Sequence, residues 1–354
     1  MMENVKKRIE WIDIAKGIGM ICVLIGHSES SILGNFVYLF HMPLFFFLAG
    51  YVYNDSQSNT PMKFFIKRIK SIYLPFIIYS TVFLICHNVF YRLNIYDSNI
   101  TYIYTNGEFV KKIVKIIFGG VTEPMLFTFW FFTSLFTICI LFNILSYFFS
   151  ISKFTGKEYV RLICILLIYA IGFGTIYFNM YFPAHINTSM IGLLIYYAGF
   201  LSKKFQDVIK YNLQIAVTSL CILIISSFYG HIDMVKNIYT NPMFFIINSL
   251  CGIYLVIYCS KQLSKSKHNL NLLTETGKNT IHIMALQFLG FRLTYLYRVN
   301  VLNSTISPFV NGNNGWWIIY TISGFVISMI AAYIIKYIKR AYNDGIRKKI
   351  FFNY

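Results

Sequence analysis

Residues 11–27 read WIDIAKGIGMICVLIGH. The run is apolar enough to cross a bilayer as a helix, yet it holds Asp13, Lys16 and His27. An ionisable group inside a span costs about 3 kcal/mol on insertion scales and persists where it has a partner or a task. Asp13 and Lys16 stand three residues apart, so they share a helix face and can neutralise each other. From Lys16 to His27 a helix rises about 16 Å and turns about 1100°, which returns the two to within about 20° of one face. One wall of a bundle can thus present a cation at its inner end and an imidazole at its outer end. A plainer reading stays open: Asp13 and Lys16 snorkel or pair at the inner interface, and His27 is a helix-end histidine hydrogen-bonded at headgroup level.

The rest of the chain shares that apolar character. Of its 354 residues 57% are hydrophobic and 12% charged, against about 25% charged in soluble domains. This excludes a soluble protein. The net charge of +18 would suggest nucleic acid in a soluble chain; here the basic residues fall in short clusters between apolar runs and read as topology signals, with attraction to membrane lipid as a side effect and no nucleic-acid partner. Runs of about 20 apolar residues predict spans near 11–27, 36–53, 72–90, 125–149, 160–178, 188–201, 211–229, 242–260, 279–297 and 316–335. Residues 111–120 suggest an extra interfacial helix. The expectation is an all-α, polytopic membrane helix bundle of about ten transmembrane helices, a single domain over residues 1–354.

Sidedness follows from Lys and Arg. With the N-terminus inside, inner segments hold 23 of the 31, the bias expected of cytoplasmic loops, so both termini are expected in the cytoplasm. The basic start MMENVKKRIEW is followed by no small-residue cleavage site, so the first run is read as a retained helix rather than a signal peptide. Seven cysteines lie almost entirely in apolar runs without a CxxC pair and read as small buried hydrophobes.

Chemistry must then come from groups in the bundle or its loops. Imidazole titrates near neutrality, so His27 is the natural general base for a hydroxyl arriving from outside, and Glu29 could orient it. In FHMPLFFFLAGY, residues 40–51, Pro43 marks the opening of the second span and His41 its outer mouth; His41 is a substrate-contacting or structural residue. No third ligand accompanies the two histidines, so no metal is expected. In KFFIKRIKSIYLPF, residues 63–76, Lys63 and Lys70 are ordinary positive-inside residues, whereas the Arg68 guanidinium suits bidentate phosphate contacts to a cytosolic donor. Glu123 is an outer-side acid able to contact substrate, or a solvated loop residue. Residues 129–136, FWFFTSLF, read as packing around Trp130. His185 and His282 read as packing or polar helix contacts, and Arg292 needs a partner or a water cavity.

Taken in order, WIDIAKGIGMICVLIGH, FHMPLFFFLAGY, a basic segment ending in LP, FWF, and TGKNTIHIMALQF at 276–288 resemble the acyltransferase family 3 membrane proteins, especially the O-acetyltransferases of surface polysaccharides. The resemblance runs over nearly the whole length. It implies about ten helices that take an acyl group, typically acetyl from cytosolic acetyl-CoA, and place it on a sugar hydroxyl at the outer face of a bacterial cell membrane, on a cell-surface glycan or lipid-linked oligosaccharide. The family's acid, basic residue and histidine map onto Asp13, Lys16 and His27, with Lys16 and Arg68 toward the acyl-CoA. Two positions depart from the pattern: a lysine-rich run replaces the usual arginine pair around Arg68, and Gln287 stands where many relatives have a histidine. A rival reading without chemistry is a polysaccharide or lipid-linked sugar exporter, which would predict broken helices in symmetric halves.

Overall fold

The computed structural model describes residues 9–28, 30–96, 102–152, 158–266, 270–302 and 316–351. It is an all-α polytopic membrane helix bundle. The helices are α1 (Glu10–His27), α2 (Ser31–Tyr38), α3 (His41–Tyr51), α4 (Pro61–Arg68), α5 (Leu74–Arg92), α6 (Asn106–Ile117), α7 (Trp130–Ile151), α8 (Glu158–Tyr177), α9 (Ile186–Lys204), α10 (Leu213–Tyr229), α11 (Pro242–Lys265), α12 (Asn271–Lys278), α13 (Thr280–Leu302) and α14 (Trp316–Phe351). A two-residue hairpin, β1 (Ile232–Asp233) with β2 (Ile238–Tyr239), joins α10 to α11.

Among the described residues seven helical segments are long and apolar enough to cross a membrane. The expected spans missing from those seven fall at α1, α10 and α13. α1 carries Glu10, Asp13 and Lys16, α10 has only 17 residues, and α13 contains Arg292 and Arg298. The sixth span, short in sequence, extends as α9 over 19 residues.

The second expected span is not continuous. Pro43 has no N–H to offer the carbonyl of Leu39, four residues earlier, and its ring crowds that carbonyl. The chain accordingly turns at Leu39–Phe40 and restarts as α3 at His41. In contrast α4 and α5 run on through a π-helical turn, Ile69–Tyr73, directly after Arg68; such turns recur at functional sites.

Close helix approach sets the centre. A Cβ added at Gly50 would lie 1.9 Å from the Tyr196 carbonyl oxygen, and one at Gly199 2.0 Å from that of Phe47, so α3 and α9 meet backbone to backbone. Around them pack the buried rings of Phe46, Phe142 and Tyr196. The most apolar window of Leu33–Tyr51 is 72% buried and that of Glu158–Tyr177 22%, which puts α3 inside and α8 on the lipid-facing rim.

Polar contacts distinguish the two ends. At one, Arg161 meets Asp55 at 3.5 Å and Glu158 at 3.7 Å, Glu158 meets Lys204 at 2.6 Å, and Glu275 meets Lys278 at 2.8 Å and Lys336 at 3.6 Å. Segments assigned to the cytoplasmic side from their basic residues thus gather at one end. The C-terminus of α1, with His27, lies at the other.

Candidate active site

The proline break shapes this end of the bundle. In an unbroken helix the Val37 carbonyl would accept from the backbone N–H of residue 41; here it accepts from the His41 side chain, Nδ1 to oxygen 2.7 Å. A carbonyl can only accept, so His41 Nδ1 carries a proton and the ring is fixed in place. The same turn aims Tyr38 at α1, where its hydroxyl lies 3.2 Å from His27 Nδ1. Ring centroids of His27 and His41 are 6.4 Å apart, and Phe288 and Phe127 stand 5.4 and 6.2 Å from His27.

A narrow cleft of about 20 Å³ is lined by His27, Tyr38, His41, Thr128 and, from the hairpin, Asp233. Gln287 braces its wall: Nε2 donates to Thr128 Oγ1 at 3.3 Å, and Thr128 Oγ1 donates to the Met284 carbonyl at 3.1 Å. The glutamine at the position expected of a family histidine is therefore fully buried and hydrogen-bonded.

Phe127, Trp130 and Val235 line both this cleft and a much larger, open cavity of about 910 Å³. Tyr96, Tyr102, Tyr104, Phe288 and His185 add aromatic walls, while Lys112, Glu123 and Arg292 supply charge. Such a size and mixture of apolar walls with few polar groups suits a small-molecule site. Beside Trp130, Ala184 and His185 adopt left-handed backbone, φ 52° and 56°, in the turn that opens α9. L side chains rarely occupy that region, and strained residues of this kind cluster at functional sites.

Glu123 is buried, not a solvated loop residue. Its Oε2 accepts from His87 Nδ1 at 2.8 Å and from the Tyr96 hydroxyl at 3.0 Å. Burial pushes its carboxyl above the usual carboxylate range, and the His87 hydrogen bond pulls the other way. Arg292 finds its partners in the backbone, donating to the carbonyls of Ile95 and Tyr96.

Of the residues singled out from sequence, His27 and His41 meet in the cleft and Glu123 lines the adjoining cavity. Asp13, Lys16 and Arg68 line neither. Asp13 is buried where α12 crosses α1: a Cβ at Gly277 would lie 1.9 Å from the Asp13 carbonyl oxygen, and one at Gly17 2.3 Å from that of Leu273. Arg68 packs its guanidinium 4.8 Å from the Phe64 ring, with Nε buried and lacking a hydrogen-bond partner among the described residues. Glu29 lies outside the described residues. Sequence reasoning missed Tyr38, His87, Tyr96, Tyr104 and Asp233; only His87, an ionisable residue inside the third expected span, carried a signal. No group of three or more His, Cys, Asp or Glu residues able to hold a metal occurs among the described residues.

In this polytopic bundle a narrow cleft that holds an imidazole shares walls with an open aromatic cavity, an arrangement that offers a site for chemistry. A family model described as an acyltransferase domain matches residues 9–333, and the chain belongs to this family, acyltransferase family 3. It is a multi-pass membrane acyltransferase. No curated protein and no solved structure matches it.

Proposed function

We propose that this acyltransferase moves an acetyl group from cytosolic acetyl-CoA to a hydroxyl of a cell-surface glycan, at a bacterial cell membrane, with His27 as general base. The observation that carries the reading is the position of His27: the narrow cleft that holds it shares walls with a cavity able to take a saccharide.

The chemistry follows from the ring contacts. With its proton on Nδ1, His27 donates to the Tyr38 hydroxyl oxygen, and Nε2 keeps a lone pair. Nε2 removes the proton from the sugar hydroxyl as its oxygen attacks the thioester carbonyl. The tetrahedral oxyanion collapses, the C–S bond breaks, and the imidazolium returns its proton to the leaving CoA sulfur. An O-acetyl sugar and free CoA result, with His27 restored. Attack and departure thus use one side chain as base and then acid.

Lys16 and Arg68 are assigned to the donor. α1 is helical from Glu10 to His27, so Lys16 lies about 16 Å below the imidazole, a span suited to the pantetheine arm with its phosphates held at the basic end. A buried guanidinium nitrogen without a hydrogen-bond partner among the described residues favours an anion at Arg68. Asp13, three residues before Lys16, orients that lysine.

The test is acetyl transfer itself. Proteoliposomes supplied with radiolabelled acetyl-CoA at the basic face and with surface glycan stripped of its esters by mild alkali at the other should place label on the glycan. Transfer by His27→Ala at the wild-type rate would remove His27 from the chemistry. Glycan movement without label would favour the exporter reading.

A further inference from the structure

The His87–Glu123 pair is buried on the side of the large cavity, and nothing in acyl transfer at His27 uses it. Five further contacts converge on the same place. Tyr96 donates to the same carboxylate oxygen that His87 does. The Tyr104 ring stacks on His87, centroids 3.3 Å apart and planes 9° from parallel, and Lys112 of α6 sits 4.2 Å over that ring's centre. Asn88, next to His87 on α5, grips the Tyr104 backbone at both polar atoms: Nδ2 donates to its carbonyl at 2.9 Å and Oδ1 accepts from its N–H at 2.7 Å. Arg292 holds the Ile95 and Tyr96 carbonyls from α13.

These contacts fix two tyrosines that line the cavity wall. They also leave one buried acceptor short of a donor: the Tyr104 hydroxyl lies near the Glu123 carboxylate, but Oε1 makes no hydrogen bond of proper geometry among the described residues. An unmet carboxylate oxygen in such a place carries a desolvation penalty that is removed when a donor arrives. A hydroxyl is such a donor, and sugar rings pair hydroxyls with flat C–H faces that pack on aromatic side chains.

We propose that the His87–Glu123 pair is the positioning centre of a saccharide subsite, with Tyr96 and Tyr104 as its aromatic wall and Glu123 Oε1 as the acceptor for a hydroxyl of the bound glycan. The subsite holds the sugar, while His27 in the adjoining cleft does the chemistry. This rests on the acetyl-transfer reading above and adds where the acceptor is gripped. His87 acts through Glu123 and is a positioning residue; Glu123 touches the sugar.

The experiment uses the proteoliposomes and the alkali-stripped glycan already described, with KM measured separately for glycan and for acetyl-CoA. Tyr104→Ala and Glu123→Gln should each raise the glycan KM by at least about tenfold, the cost of one hydrogen bond or stacking contact. Their kcat should fall by less than about threefold and the acetyl-CoA KM should stay put, the pattern of lost acceptor binding. Tyr104→Phe, which keeps the stacked ring, should recover the wild-type glycan KM, and Lys111→Ala on exposed α6 serves as the control. Wild-type glycan KM in both damaging variants overturns the subsite. So does a parallel collapse of kcat and both KM values, or a Tyr104→Phe defect equal to that of Tyr104→Ala, since either marks a purely structural role. Absence of label on the glycan with the unaltered chain would instead sink the acetyl-transfer reading itself.

Discussion

Tyr38→Phe removes the hydrogen-bond partner that the described residues give His27 and leaves an aromatic ring where the phenol stood, 5.8 Å from the imidazole. If the phenol only holds the proton on Nδ1 and the ring in line, the loss is one neutral hydrogen bond, about 0.5–1.5 kcal/mol. At 1.36 kcal/mol per factor of ten, kcat should fall about 2- to 12-fold. His27→Ala removes the proposed base and should cost about 10²–10⁴. The assay is the initial rate of acetyl transfer in proteoliposomes at saturating donor, corrected for protein content. A double mutant sharpens the result, because a residue that acts only through His27 has nothing left to do in the His27→Ala background. Additive losses would refute the coupling. A Tyr38→Phe loss above about hundredfold would refute its subordinate role and put the phenol in the proton transfer.

Three further outcomes follow from other parts of the fold. Gly277→Ala places a Cβ 1.9 Å from the Asp13 carbonyl oxygen, where ordinary contact begins at 3.4 Å; the overpacking should cost about 1–3 kcal/mol and lower Tm in detergent, and an unchanged Tm would disprove the close approach of α12 to α1. Arg68→Ala should raise the acetyl-CoA KM by about tenfold or more, with Arg68→Lys recovering part of the loss because an ammonium cannot form the bidentate contact; equal KM values in all three proteins would remove Arg68 from the donor site. Lys278, and then Lys336, hold the Glu275 carboxyl below its usual range. A lowered folded pKa stabilises above the unfolded value of about 4.3 and loses that contribution as pH falls through the folded pKa. Glu275→Gln should therefore be less stable than wild type at pH 7, by under about 1 kcal/mol for so exposed a pair, and the gap should close below about pH 4; a gap that persists there would contradict the assignment.

The bundle was legible because membrane insertion writes itself into composition: runs of apolar residues near helix length, separated by lysine clusters, need no tertiary information. The cross-chain geometry was not legible in that way. The second span looks continuous from 36 to 53, and only the clash between Pro43 and the Leu39 carbonyl, acting with packing against α1 and α9, divides it. Glu123 before a proline resembles any solvated loop acid; its burial depends on His87 and Tyr96, 36 and 27 residues away. Asp233 is a lone acid between two helices, and only the hairpin, by pairing Ile232 with Tyr239 and Asp233 with Ile238, carries it over the cleft. His87 was the exception. An imidazole within a span is a signal by the same argument that singled out Lys16.

One proline joins the legible part to the hidden one. Because Pro43 ends α2 early, Val37 is left with a carbonyl that His41 can claim through its side chain, and Tyr38 is left at a helix end rather than along a smooth face. Both aromatic side chains then turn toward the last turn of α1, where the eleven-residue interval from Lys16 has already placed His27. The break thus converts two apolar spans, each ordinary in hydropathy, into a cleft with a fixed His41 tautomer, a hydroxyl at His27 Nδ1 and a carboxylate from the hairpin close by. Motif spacing along α1 sets where His27 sits; the broken helix beside it sets which side chains meet its ring.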